Sequence, residues 1–262
     1  MTSLTIALVA CALGAAPGDD VLAKFEEHTF TFTGGEYKDE AFRYRLLKPE
    51  KIEPGKKYPV VLFLHGAGER GDDNAKQLLY LPELMVTPEY RGKFPCFFIA
   101  PQCRSGKLWV VRGQDKTGVS EQMQVAEGIL RHVEKEYPVD PARVYLTGLS
   151  MGGFGTWNLA ARHPDWFAAA VPICGGGDPT LASALVPVPI WAVHGADDKV
   201  VSAELSRKMI DAIRAAGGKP RYTEIEGVGH DSWTPGYKDP NGALPWMFQQ
   251  VNDRRAVAAT SR

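Results

Sequence analysis

The stretch Val144-Tyr145-Leu146-Thr147-Gly148-Leu149-Ser150-Met151-Gly152-Gly153-Phe154-Gly155 confines this chain to few folds. Its apolar first half reads as a buried strand. Thr156 to Arg162 reads as helix. Between them, Gly148-x-Ser150-x-Gly152 leaves room only for a very tight turn with the serine at its tip. Such a turn forces the serine into a strained backbone conformation, and side chains at the flanking glycines would collide with strand and helix. The hydroxyl then projects above the sheet, and the Met151 N–H points into the same space. With nine serines and 27 glycines in 262 residues, the bare pattern is expected about 0.1 times by chance. The strand before it and the helix after it strengthen it. The competing reading is a glycine-rich strand–helix turn with an idle serine.

The rest of the chain supplies the sheet around that turn. His28 to Thr33 and Phe42 to Leu46 alternate polar and apolar around Gly34-Gly35, the pattern of an antiparallel hairpin at a sheet edge. Pro59 to Leu64 is apolar throughout, as a parallel strand covered on both faces must be. It exits into the polar, glycine-rich segment His65 to Asn74, the position where α/β proteins place ligand contacts. Further strands are expected at Cys96–Ala100, Phe167–Ile173, Val188–Val193 and Arg221–Glu226. Helices are expected over Ser120–Tyr137, Ala203–Ala216 and about Leu244–Asn252. The alternation from residue 59 onward implies an α/β fold: a doubly wound, mostly parallel sheet with an antiparallel N-terminal hairpin. No internal linker interrupts it, so one catalytic domain is expected over residues 25–255.

A serine hydroxyl is a poor nucleophile until a base takes its proton, and the base needs a partner that fixes its tautomer. After a strand–turn–helix serine of this kind the acid and then the histidine follow in chain order. Only His163, His194 and His230 follow Ser150. His163 ends the elbow helix. His194 precedes the acidic pair of its own exit loop. His230 lies in a glycine-flanked loop after the last strand and is the expected base. Asp198 is the expected acid, with Asp197 as the alternative that spacing does not separate. The developing oxyanion needs donors placed in advance: the Met151 amide, and one from the loop after Leu64, Ala67 or else Gly68. His65 precedes Ser150 and is expected to brace that loop, as are Glu69, Arg70, Asp72 and Asn74. Trp109 and Trp233 lie in strand-exit loops and are candidate aromatic walls for substrate, with core packing the competing reading. No metal and no cofactor is expected.

These segments together resemble the α/β-hydrolase superfamily. Within it they are most similar to exported bacterial esterases of the carboxylesterase, feruloyl-esterase and polyhydroxybutyrate-depolymerase-like group. The resemblance rests on Leu64-His65-Gly66-Ala67-Gly68-Glu69-Arg70-Gly71, Ala100-Pro101-Gln102-Cys103, Gly148 to Gly153, Pro172-Ile173-Cys174-Gly175-Gly176, His194-Gly195-x-x-Asp198-x-x-Val201 and Gly229-His230. It implies a serine carboxylic-ester hydrolase that works through an acyl-enzyme, and it favours Asp198, four residues after the His-Gly histidine. The short connection after Ile173 implies no large lid and an open pocket. A prolyl-oligopeptidase-like peptidase, a polyester depolymerase and a non-catalytic binding protein of the same fold are the rivals.

Composition narrows the partners. Net charge is −1 and no long charged run appears, which argues against nucleic acid or an anionic membrane surface. A small-molecule or polymer-linked ester is the expected partner. Leu4 to Leu13, followed by Gly14-Ala15-Ala16, resembles a secretory signal peptide over residues 1–18, so a secreted or periplasmic protein is expected. The run is too short to span a membrane. Leu8-Val9-Ala10-Cys11 also resembles a lipoprotein box, which would put a lipid on Cys11. Cys96, Cys103 and Cys174 lack metal-ligand spacing. Buried thiols are the default reading, with a Cys103–Cys174 pair open if their strand ends converge.

Overall fold

The computed structural model describes residues 16–111 and 119–255. The expected leader, apart from its last three residues, and Cys11 lie outside them. Among the described residues, eight strands form one sheet in the order β1-β2-β4-β3-β5-β6-β7-β8. They are β1 Glu26–Gly34, β2 Tyr37–Leu47, β3 Tyr58–Leu64, β4 Phe97–Pro101, β5 Val139–Leu149, β6 Ala169–Ile173, β7 Trp191–Gly195 and β8 Arg221–Ile225. β1 pairs antiparallel with β2, and β2 with β4. Every later pairing is parallel. The mixed sheet with its antiparallel hairpin is therefore the expected α/β architecture.

The apolar run of β3 has a direct structural cause. All seven of its residues are buried. Tyr58, Val60, Leu62 and Leu64 face one core cluster. Val61 and Phe63 face the other. β5 divides the same way, with Val144 and Leu146 on one side and Tyr145 and Leu149 on the other. Three helices cover the first face: α4 (Glu121–Glu136), α5 (Met151–Arg162) and α6 (Glu204–Ala215). The second face is covered by α1 (Asp19–Lys24), α2 (Leu81–Met85), α7 (Trp233–Lys238) and α8 (Ala243–Met247). α3 (Pro88–Lys93) buries none of its own residues. No helix among the described residues is long and apolar enough to cross a membrane.

α4 begins where its cap dictates. The Ser120 hydroxyl oxygen accepts from the Met123 N–H at 3.0 Å, satisfying a donor that the first turn leaves unpaired. The same hydroxyl donates to the Trp109 carbonyl at 2.8 Å and so ties the preceding loop to the helix.

One expectation changes, and the open question of the cysteines closes on the default reading. The last helix stops at Met247 rather than near Asn252. The Tyr145 hydroxyl lies 3.2 Å from the Phe248 carbonyl and 2.9 Å from that of Gln250, drawing both away from a helical ladder. Asn252 is then pulled across to β5, its N–H donating to the Ala142 carbonyl at 2.8 Å. The Cys103–Cys174 pair is not formed. Cys96, Cys103 and Cys174 are all free and buried. Burial pushes the Cys96 and Cys103 thiols up to about 12, which keeps them protonated and unreactive.

Candidate active site

Ser150 joins β5 to α5 with φ 51° and ψ −115°, in the left-handed region that a serine enters only under constraint. The constraint is backbone packing. A Cβ on Gly148 would lie 2.5 Å from the Gly152 carbonyl oxygen and 2.6 Å from that of Leu64. One on Gly152 would lie far inside contact distance of the Leu64 carbonyl. The end of β3 therefore presses directly on the first turn of α5. The Ser150 N–H donates to the Ile173 carbonyl of β6 at 3.0 Å, which holds the turn from the other side.

Across the sheet top, the structure brings Ser150, His230 and Asp198 into one hydrogen-bonded chain. His230 Nε2 is 2.9 Å from Ser150 Oγ. His230 Nδ1 is 2.7 Å from Asp198 Oδ2. An ionised carboxylate only accepts, so Nδ1 carries the ring proton and Nε2 is left bare toward the serine hydroxyl. The Asp198 side chain is wholly buried. Its other oxygen, Oδ1, accepts from the Val200 and Val201 amides at 2.8 and 2.9 Å. Asp197 points elsewhere: it is exposed, and its N–H donates to the Val228 carbonyl at 2.9 Å. That bond ties the loop carrying Asp198 to the loop carrying His230.

Met151 is the first residue of α5, where an amide has no acceptor within the helix and the helix dipole favours negative charge. Ala67 opens a 3₁₀ turn, Ala67–Glu69, and is exposed, as is Gly68. The turn is fastened from below. Arg70 Nε donates to the Ala67 carbonyl at 2.8 Å. Gln102 donates to the Glu69 carbonyl at 3.0 Å and accepts from the Asn74 N–H at 2.7 Å. Burial pushes the Glu69 carboxyl up.

His65 braces this loop, as its place in the chain suggests. Its Nε2 accepts from the Cys103 N–H at 2.9 Å, so Nδ1 bears the proton and donates to the Gly66 carbonyl at 2.6 Å. Burial pushes this imidazole from 6.5 down to about 4. The unfolded chain therefore takes up the proton first as pH falls. His65's share of stability is complete above pH 6.5 and is lost progressively towards pH 4. It amounts to at most about 3 kcal/mol. Urea unfolding of wild type and His65→Gln between pH 7 and 4.5 checks this. The variant is expected to be less stable at neutral pH and to lose less on acidification; equal losses would contradict the assignment.

Trp109 requires a correction. It is 1% exposed, and its indole N–H donates to the His65 carbonyl at 3.0 Å. It packs edge-on against the His65 ring beneath the loop rather than walling a pocket, because its own segment is held inward by Ser120. Trp233 does lie at the site: its ring is perpendicular to that of His230 with centroids 5.3 Å apart. Tyr80, which the sequence did not mark, packs 5.3 Å from Trp233. Its φ of 70° presents the ring from a strained turn whose N–H donates to Glu83 at 2.9 Å. Flanked by Leu79 and Leu81, it carries no local signal that separates it from core. Among the described residues, no group of three or more His, Cys, Asp or Glu side chains is arranged to hold a metal ion.

A tight strand–turn–helix serine at the centre of a mixed sheet, with an acid and a histidine delivered by the ends of β7 and β8, defines an α/β-hydrolase-type fold. The chain matches the family described as "Putative esterase" over residues 37–216 and belongs to that family. It is 31% identical over 157 residues to a bifunctional acetylxylan esterase/xylanase of Neocallimastix patriciarum, which covers 59% of this chain and 21% of that one. It is 23% identical to a "Probable feruloyl esterase C" of Aspergillus oryzae, covering 77% of this chain and 72% of that one. Among solved structures, one titled as a thermostable esterase superposes with a TM-score of 0.80 at 37% identity, covering 88% of this chain and 64% of that one. The chain thus spans about a fifth of the bifunctional relative's length.

Proposed function

We propose that this chain is a secreted serine carboxylic-ester hydrolase. The single observation that carries the reading is the bond sequence Ser150 Oγ–His230 Nε2–His230 Nδ1–Asp198 Oδ2, at 2.9 and 2.7 Å. Ser150 Oγ attacks the ester carbonyl carbon while His230 Nε2 takes the hydroxyl proton. The oxygen of the tetrahedral adduct takes the negative charge, facing the Met151 and Ala67 amides. The adduct collapses, the C–O bond to the alcohol breaks, and His230 returns its proton to the departing oxygen. Water, deprotonated by His230, then releases the acid from Ser150. Asp198 stays ionised throughout, orients the ring and stabilises the imidazolium. The reaction as written needs no metal or cofactor.

The substrates proposed are short-chain, aryl or carbohydrate-linked esters. The relatives named as acetylxylan and feruloyl esterases support that class. Trp233 and Tyr80 beside His230 offer an aromatic surface suited to an aryl group. A fluorophosphonate probe is expected to label Ser150 and no other residue. A p-nitrophenyl series from acetate to long acyl chains, with methyl ferulate, is expected to favour the short chains and the ferulate. An unlabelled Ser150 would sink the reading, and turnover confined to peptides would move it to a peptidase.

A further inference from the structure

Asp198 Oδ2 faces two imidazoles, and the chemistry above uses only one. His194 Nε2 lies 3.2 Å from the same oxygen that takes the His230 N–H, and neither the His194 nor the Asp198 side chain is exposed. The same nitrogen is 2.8 Å from the Val201 carbonyl. A carbonyl only accepts, so Nε2 carries a proton that it donates to Val201, with Asp198 Oδ2 3.2 Å from the same nitrogen. The other ring nitrogen, Nδ1, is 2.8 Å from the hydroxyl oxygen of Ser206 on α6, which is itself wholly buried and 3.0 Å from the Gly175 carbonyl. Burial pushes His194 below the usual histidine range, so the ring is held neutral with its proton on Nε2, and the single Ser206 hydroxyl proton lies between Nδ1 and the Gly175 carbonyl. The ionisable groups around it are Asp198 and His230, with Glu224 of β8 further off.

We propose that His194 is a positioning residue for the catalytic acid: its Nε2–H, fixed in tautomer by the Val201 carbonyl, lies against Asp198 Oδ2 and takes up part of the carboxylate's charge, while Ser206 holds the other side of the His194 ring. The inference rests on the catalytic reading of Ser150, His230 and Asp198. Oδ1 is held by two amides and Oδ2 by the His230 ring, and the buried His194 ring closes the remaining side of Oδ2. A histidine kept only for volume would need neither a donor facing the carboxylate nor a buried hydroxyl behind it.

The variants are His194→Leu, His194→Gln and Ser206→Ala, measured by pH profiles of kcat and KM and by the downfield proton resonance of His230 Nδ1–H in the free protein. His194→Leu removes the donor and keeps the bulk. A hydrogen bond to a charged group predicts a loss in kcat of about 10- to 100-fold with little change in KM. The acid limb of kcat/KM moves to higher pH, because the unshared carboxylate charge stabilises the His230 imidazolium more strongly. The Nδ1–H resonance moves further downfield. His194→Gln, whose amide N–H reaches the Nε2 position, recovers part of the loss. Ser206→Ala shifts both readouts in the same direction by less.

An unmoved acid limb and resonance in His194→Leu, or equal losses in the Leu and Gln variants, would overturn the proposal. Where His194→Leu does not fold, Ser206→Ala decides by the same two readouts. If the ester reading itself fails, the wild type turns over no ester. The resonance still reports the Asp198–His230 bond, and its response to Ser206→Ala and His194→Gln settles the point separately.

Discussion

Ser150→Ala is expected to lower kcat/KM for p-nitrophenyl acetate by about five to six orders of magnitude, with the melting temperature nearly unchanged. The size follows from what one oxygen does. Without it no acyl-enzyme forms, and His230 Nε2, 2.9 Å away in the intact site, has no hydroxyl proton to take. The residual rate is that of water attacking a carbonyl polarised by the Met151 and Ala67 amides. Stability is spared for a separate reason. The turn is imposed by the backbone contacts of Gly148 and Gly152, and alanine enters φ 51° at no greater steric cost than serine. Kinetics and a thermal melt on the same preparation test both halves. A variant that keeps a tenth of the activity would remove Ser150 from the chemistry.

Asp198→Asn is expected to reduce kcat by about four orders of magnitude, whereas Asp197→Asn changes it little. The two oxygens of Asp198 are not equivalent. Oδ1 accepts from the Val200 and Val201 amides, so an asparagine must place its carbonyl there. Its NH₂ then occupies the Oδ2 position, facing His230 Nδ1 at 2.7 Å and His194 Nε2 at 3.2 Å. A donor now confronts two donors. His230 relieves the clash by moving its proton to Nε2, which turns the base toward Ser150 as a donor and ends its ability to accept. Measuring kcat for both variants decides the assignment, and a larger loss in Asp197→Asn would reverse it.

Much of this arrangement was legible in the residues because geometry demanded particular types. The tight turn requires glycine at fixed offsets from Ser150, and a strand covered on both faces requires the unbroken apolar run of β3. Other features depended on contacts that no local pattern encodes. Asp197 and Asp198 share a loop and a chemistry; only the return of the Val200 and Val201 amides beneath one of them separates the pair. For Trp109 the sequence leaves pocket wall and core packing both open, because a tryptophan in an exit loop carries no mark of which way it faces. The shortened last helix depends on the Tyr145 hydroxyl, more than a hundred residues earlier. His194 precedes the acid in the chain, which places it outside the expected order for the base, and its bond to Ser206 joins a strand end to a helix twelve residues on.

The contact between the Leu64 carbonyl and Gly152 has a consequence for how the site responds to heat. No side chain lies between the end of β3 and the first turn of α5, so nothing there can rotate or yield separately. Ser150 and the loop after β3 move as one body with the central strands, among the last elements of such a sheet to open. Inactivation on warming is thereby tied to melting of the sheet itself, not to an earlier loosening of its top. Stabilising changes placed far from Ser150 should then raise the working temperature without altering the chemistry.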